Sequence, residues 1–231
     1  MPSSCLFGDV ERMDRCHEAE LLDGNEVSAE TLAKAYGQIN RVHRWLGNTS
    51  AVLRLLADGP KRPKRVLDIG CGQGALLAEI RRSLGVEVIG FDLREAPADA
   101  PVQIMTGNAV FDPLPEADVA ICLMVAHHLS EAELASMIGN VGRSCRRFVV
   151  LDLVRHSVPL ALFRTFVSPL LSRINSLDGQ TSIRRAYTAE EMRGIVDRGL
   201  SESSRPVSRM RHTVSPLWIR QVVDICWEPA G

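Results

Sequence analysis

The segment RVLDIGCGQG, Arg65 to Gly74, sets three glycines on alternate positions directly behind a short apolar run. Backbone with so few side chains can turn tightly and come close to a ligand. The pattern calls for a strand that ends in a ligand-binding turn and opens a helix. Gly70-x-Gly72-x-x-Ala75 also satisfies the dinucleotide fingerprint G-x-G-x-x-G/A. Asp92 closes the next apolar run, about where an acid takes ribose hydroxyls.

The rest of the chain must supply a sheet around that turn. Strands are expected over 65–70, 87–93, 102–109, 118–129 and 146–154, and helices over 74–85 and 130–145. Most of these strands are continuously apolar, which implies a parallel sheet covered by helices on both faces. Ahead of them, 17–57 reads as helix, with a break at Gly24-Asn25 and a start near Ser28. A second helix over 50–57 stops at Asp58-Gly59-Pro60. After Val154 the alternation gives way to the apolar insertion HSVPLALFRTFVSPLLSRI. A loop around DGQTSIRRAY follows, then a helix capped at Thr188 with Glu191 three residues on. Two final strands joined at Ser215-Pro216 would form an antiparallel hairpin on the sheet edge. The expected layout is an N-terminal helical cap over 1–60 and a binding domain over 61–231, with a lid-like insertion at about 156–187.

Charge narrows the partners. Lys and Arg total 27 against 28 acids, a net charge of −1, so no global field draws in nucleic acid or an anionic membrane. The run Lys61-Arg62-Pro63-Lys64-Arg65 is short and reads as a solvated linker. The N-terminus lacks a basic stretch followed by an apolar one, and no apolar run is long enough to span a bilayer. The six cysteines, Cys5, Cys16, Cys71, Cys122, Cys145 and Cys226, are scattered without a C-x-x-C pair. Cytoplasmic, reduced and metal-free is the expectation, with a monomer and a homodimer both open.

Three features separate the glycine turn from a dinucleotide site. Asp68, two residues before Gly70, would repel a pyrophosphate and welcome an ammonium group. Gly74 extends the close approach over five residues, and the helix N-terminus just beyond favours a single carboxylate. The motif also lies in mid-chain, with no second dinucleotide half after it. An amino acid on one side and a ribose on the other describe S-adenosyl-L-methionine (SAM).

The stretches VLDIGCGQG, VIGFDL, TGNAVFDPLP and DVAICLMVAHHLS, in that order over 66–130, resemble the class I SAM-dependent methyltransferases. The resemblance implies an α/β, Rossmann-like, seven-stranded and mostly parallel sheet whose last strand is antiparallel. It implies that Asp68, Gly70, Cys71, Gly72 and Gly74 cradle the methionine part and ribose. Asp92 would take the ribose hydroxyls and Leu93 would pack on the adenine. Asn108 and Ala109 would meet the adenine edge, and Leu123 joins the cofactor set. Asn108 stands where that family often has Asp, which removes a charge but keeps an acceptor.

The stretches AYGQINRVHRWLGNTSAVLRLL and MVAHHLSEAEL are similar to small-molecule methyltransferases of the quinone-biosynthesis type and of polyketide and phenolic-lipid pathways. There Tyr36 and Asn40 would face the cofactor; a core tyrosine and a surface asparagine are the plain alternative.

The acceptor must be read from outside that core. Phe163 and Phe166, in the insertion, and Arg184 after it are candidates to line a pocket for an apolar or aromatic acceptor; an ordinary core or interface helix fits the same residues. His127 and His128 leave the fourth strand at its carboxyl end, where ligands bind in open α/β sheets. One of the two, His127 by preference, would face the methyl group and take a proton from a hydroxyl. The other would pack against or cap the helix beginning at Ser130. The expected reaction is methylation of a hydroxyl oxygen, with C-methylation of a quinone-like ring as the alternative. An NAD-dependent oxidoreductase and a non-catalytic SAM-fold protein are the readings from other classes.

Overall fold

The computed structural model describes residues 13–24, 28–203 and 205–229. Cys5, the rest of the first twelve residues and Asn25 of the expected break lie outside the described residues.

The chain builds β1 (Arg65–Ile69), β2 (Glu87–Asp92), β3 (Ile104–Thr106), β4 (Ala117–Leu123), β5 (Cys145–Asp152), β6 (Val207–Val214) and β7 (Gln221–Trp227). They form one sheet in the order β3-β2-β1-β4-β5-β7-β6. The first five strands run parallel, and β7 lies antiparallel between β5 and β6. The expected terminal hairpin is therefore present, with β6 on the edge.

The helices are α1 (Ala29–Trp45), α2 (Asn48–Ala57), α3 (Ala75–Leu84), α4 (Glu131–Ser144), α5 (Ser157–Leu162), α6 (Arg173–Arg185) and α7 (Ala189–Ser201). Alternation along the strands sorts the core into two layers. Leu67, Ile69, Ala120, Cys122, Phe148 and Val150 pack with Leu134 and Ile138 of α4 and Met192 and Ile195 of α7. Val66, Val119, Ile121, Val149 and Leu151 face the other way, onto Val52 and Leu56 of α2 and Leu77 and Ile80 of α3. Each such fully buried aliphatic side chain contributes about 2 kcal/mol by leaving water. Capping boxes start two helices: Ser130 with Glu133 at α4, and Thr188 with Glu191 at α7. Among the described residues no helix is long and apolar enough to cross a membrane.

Five expectations change. Residues 17–20 are not helical; helix α1 begins after its cap Ser28, and residues 13–24 run across α6. Their amides find partners on α6 instead of four residues back: Leu21 and Leu22 donate to the Asp178 carboxylate at 2.8 and 3.0 Å. The loop expected at DGQTSIRRAY is instead the second half of α6. Its weak local helix propensity is overridden by Asp178 and Ser182, which bond that N-terminal strap. Helix α2 starts at Asn48 rather than 50, and β3 is only three residues long. Strand β4 stops at Leu123, because Met124 takes a left-handed backbone (φ 56°) and a 3-10 turn, Ala126–His128, follows.

Candidate active site

A cavity of about 300 Å³ opens at the carboxyl ends of β1 and β4, where the sheet order reverses direction. Gly70 and Gly72 of the glycine turn line it, whereas Gly74 packs against Val102. Gly70, Gly72 and Gly74 all have positive φ, at 71°, 54° and 77°. A Cβ on Gly70 would strike Val125 at 2.5 Å, whereas one on Gly72 would meet nothing within 4 Å and stand in the cavity. Beside the turn lie Asp68, Cys71, Leu123 and Met124; Tyr36 and Asn40 of α1 border it from above.

Asp68 is 2% exposed, and burial, with the Asp92 charge behind it, holds its carboxyl well above the usual carboxylate range. Asp92 sits in an adjoining hollow with Tyr36, Gly72 and Arg94. Its Oδ2 accepts from Gly72 N–H at 2.7 Å and its Oδ1 from Arg94 N–H at 2.9 Å. Arg94 also donates to Tyr36 Oη at 3.1 Å and to the Leu22 carbonyl at 2.7 Å, tying the strap and α1 to β2. Leu93, 70% exposed, Asn108 and Ala109 lie outside both hollows. The Asn108 oxygen accepts from Val110 N–H at 2.9 Å, so its acceptor serves a local turn.

Both histidines border the cavity. The alternation expected of a strand does not apply, because they sit in the 3-10 turn after Met124. Ser130 rather than a histidine caps α4. His127, 3% exposed, has Nδ1 at 2.7 Å from Asp152 Oδ1, while its own N–H donates to Asp152 Oδ2 at 3.1 Å. Nε2 of His127 lies 3.5 Å from Glu20 Oε1. Burial alone would lower the His127 pKa. The Asp152 charge and hydrogen bond, with Glu20 behind them, carry it up to about 10. His128 has Nδ1 at 3.2 Å from Asp23 and Nε2 at 3.7 Å from Glu20. For Glu20, burial pushes upward, but His127, His128 and Ser182 bring the carboxyl below its ordinary range.

Glu20, Asp152 and His43 escaped the sequence reading. The strap residue and the end of β5 carry no motif, and His43 looked like one more residue of α1. The acid at the carboxyl end of β5, in VVLDLV, was the available signal for Asp152. Of the acceptor candidates, Phe163 lines the cavity against Gly179, while Phe166 and Arg184 are exposed and do not.

The sheet order, the antiparallel β7 and the glycine turn at the switch point are the fold of the class I SAM-dependent methyltransferases. The chain belongs to the methyltransferase-domain family, whose model matches residues 40–160. No curated protein sequence matches it. Among solved structures it is similar to the plantazolicin methyltransferase BpumL, in complex with a monoazolic desmethylPZN analogue and SAH. The TM-score is 0.64 at 14% identity, over 86% of this chain and 90% of that one. Human N-acetylserotonin methyltransferase in complex with SAM is similar at TM-score 0.56 and 15% identity, over 83% of this chain and 55% of that one. A putative O-methyltransferase from Nostoc punctiforme PCC 73102 is similar at TM-score 0.59 and 14% identity, over 93% of this chain and 64% of that one.

Proposed function

We propose that the protein transfers a methyl group from SAM to a hydroxyl oxygen of an apolar or aromatic small molecule, with His127 receiving the hydroxyl proton. One observation carries this reading: His127, backed by Asp152 at 2.7 Å and with Nε2 3.5 Å from Glu20, lines a cavity that also holds Gly70 and Gly72 of the glycine turn.

The residues present fit SAM on three counts. Gly72 leaves open the space its side chain would fill. Asp68 is a buried carboxyl with no cation paired to it among the described residues, and an ammonium group would supply the opposite charge that its ionised form lacks. The Asp92 oxygens each accept one backbone N–H and keep a lone pair for a hydroxyl. On this reading Asp68, Gly70, Cys71, Gly72 and Gly74 hold the methionine part. Asp92 holds the ribose; Leu123 lines the cavity, while Leu93, Asn108 and Ala109 lie outside both hollows and would meet the adenine only from its outer edge. Tyr36 and Asn40 close over them. When bound, SAM supplies a sulfonium methyl, an electrophile that needs no metal and no protein nucleophile.

The chain then has two tasks, to position the acceptor and to manage its proton. Asp152 fixes the His127 ring with a hydrogen on Nδ1, so Nε2 is the nitrogen offered to the hydroxyl. With Glu20 alongside, His127 rests as an imidazolium. An acceptor oxygen that displaces Glu20 from Nε2 removes one of the charges raising its pKa and brings the neutral form nearer to working pH. As the oxygen–methyl bond forms, the hydroxyl proton passes to Nε2 and from there to solvent. Residues up to 60 serve as a cap and 156–187 as a lid, which together shut out water; Phe163 is the lid residue turned toward the acceptor. The cysteines stay reduced in a cytoplasmic protein.

Two measurements test this. SAM or S-adenosylhomocysteine (SAH) at a hundred times its Kd adds about 2.7 kcal/mol of stability, a rise in Tm of roughly 5–10 °C. NAD(H) is expected to add nothing, and the reverse result would make the protein an oxidoreductase. With methyl-labelled SAM, product mass spectrometry should place the label on oxygen; label on a ring carbon would establish C-methylation.

A further inference from the structure

Arg220, in the turn between β6 and β7, ends a chain of three side chains that leads into the cavity. Its Nη1 lies 2.7 Å from Asn48 Oδ1, and Asn48 Nδ2 lies 3.1 Å from His43 Nδ1. A guanidinium can only donate hydrogen bonds, so Asn48 must turn its oxygen to Arg220. Its NH2 group then faces His43, and an NH2 group also only donates. His43 Nδ1 is thereby compelled to accept, which leaves the single proton of a neutral imidazole on Nε2. The freedom of an amide to flip and of an imidazole to change tautomer is removed by one obligate donor.

Nε2 of His43 has no hydrogen-bond partner among the described residues, and His43 lines the cavity. The charges that act on His43 are those of Asp152 and His127. His43 and His127 line the same cavity, and the His127 charge acts on His43. Burial keeps it neutral, lowering its pKa to about 4 even with Asp152 nearby.

We propose that His43 is an acceptor-binding residue whose Nε2–H donates to an oxygen beside the hydroxyl that is methylated. The acceptor class is then an apolar molecule carrying a hydroxyl next to a carbonyl or another accepting oxygen. This rests on the methyl-transfer reading. A fixed, neutral donor in an apolar cavity also discriminates. A molecule with an amine or an alkyl group at that place leaves Nε2–H buried and unpaired, and desolvation then counts against it. Asn48 and Arg220 act through His43 as positioning residues.

The test uses the SAH-saturated full chain and two probes of similar size, 2-hydroxyacetophenone and 2-ethylphenol. In the wild type the carbonyl probe is expected to bind at least tenfold more tightly, with a shift of the His43 Nε2 resonance in 15N-histidine NMR spectra. His43→Phe should erase the difference between probes while SAH affinity stays the same. Asn48→Asp is nearly isosteric and keeps its contact with Arg220, but it reverses the polarity at Nδ1, which must then carry a proton. The NMR pattern should change from the Nε2–H tautomer, and the probe preference should fall. Equal binding of the two probes, binding of neither, or a wild-type Nδ1–H tautomer would each overturn the proposal. Failure of SAH itself to bind would instead count against the methyltransferase reading.

Discussion

The N–H of Gly72 donates to Asp92 Oδ2 at 2.7 Å, so one carboxylate ties the carboxyl end of β2 to the tip of the glycine turn. Asp92 also lines the hollow that Tyr36 and Arg94 border.

Asp92→Ala is therefore expected to act twice. It removes the acceptor proposed for the ribose hydroxyls and frees the Gly72 amide. Hydrogen bonds to a charged group are worth about 1.5–3 kcal/mol each, so affinity for SAH should fall at least tenfold with the fold intact. Calorimetric titration measures this, and unchanged affinity would remove Asp92 from the site.

Gly72→Val places a branched side chain where the structure has open space and a φ of 54°. The backbone strain costs about 1–2 kcal/mol, which a folded domain can absorb. Cofactor binding should be lost altogether. Native circular dichroism together with wild-type SAH affinity would show that the ligand does not approach Gly72.

Phe163 and Phe166 should behave differently, although the sequence treats them alike. Phe163 lines the cavity, while Phe166 is 61% exposed on the outer side. Phe163→Asn is expected to raise the KM for acceptor or lower turnover with SAH affinity unchanged. Phe166→Asn should leave both within about twofold. Equal effects of the two substitutions would remove the lid from acceptor binding.

Glu20→Gln tests the proton route. With His127 raised to about 10, its neutral form is scarce at neutral pH. If it is the base, kcat/KM should climb about tenfold per pH unit up to that value. Removing the negative charge of Glu20 favours the imidazolium less and lowers its pKa. The alkaline rise should then move to lower pH in Glu20→Gln and vanish in His127→Ala. A profile that stays in place in both variants would show that the acceptor hydroxyl titrates alone.

The elements written in neighbouring residues were legible from the sequence. The apolar run and glycines of RVLDIGCGQG specify β1, the turn and the start of α3, and Asp92 follows at the end of β2. Ser28, Ser130 and Thr188 mark three helix starts, and the paired runs at the C-terminus mark the hairpin. These signals are local: periodicity, caps and turn residues act over a few positions. What lies between distant positions had no such signal. Met124 adopts a left-handed backbone at the end of β4, and both histidines follow in a 3-10 turn that borders the cavity, a change of direction that strand periodicity does not signal. Glu20 reaches His127 only because Asp178 and Ser182 of α6 hold the strap in place. His43 is bound to its tautomer by Arg220, far along the chain, through Asn48. The sequence by itself determined the sheet, the glycine turn and the acids beside it. Only the tertiary structure decided which partner each nitrogen of His43 and His127 meets, because a hydrogen bond's direction depends on partners that folding alone brings together.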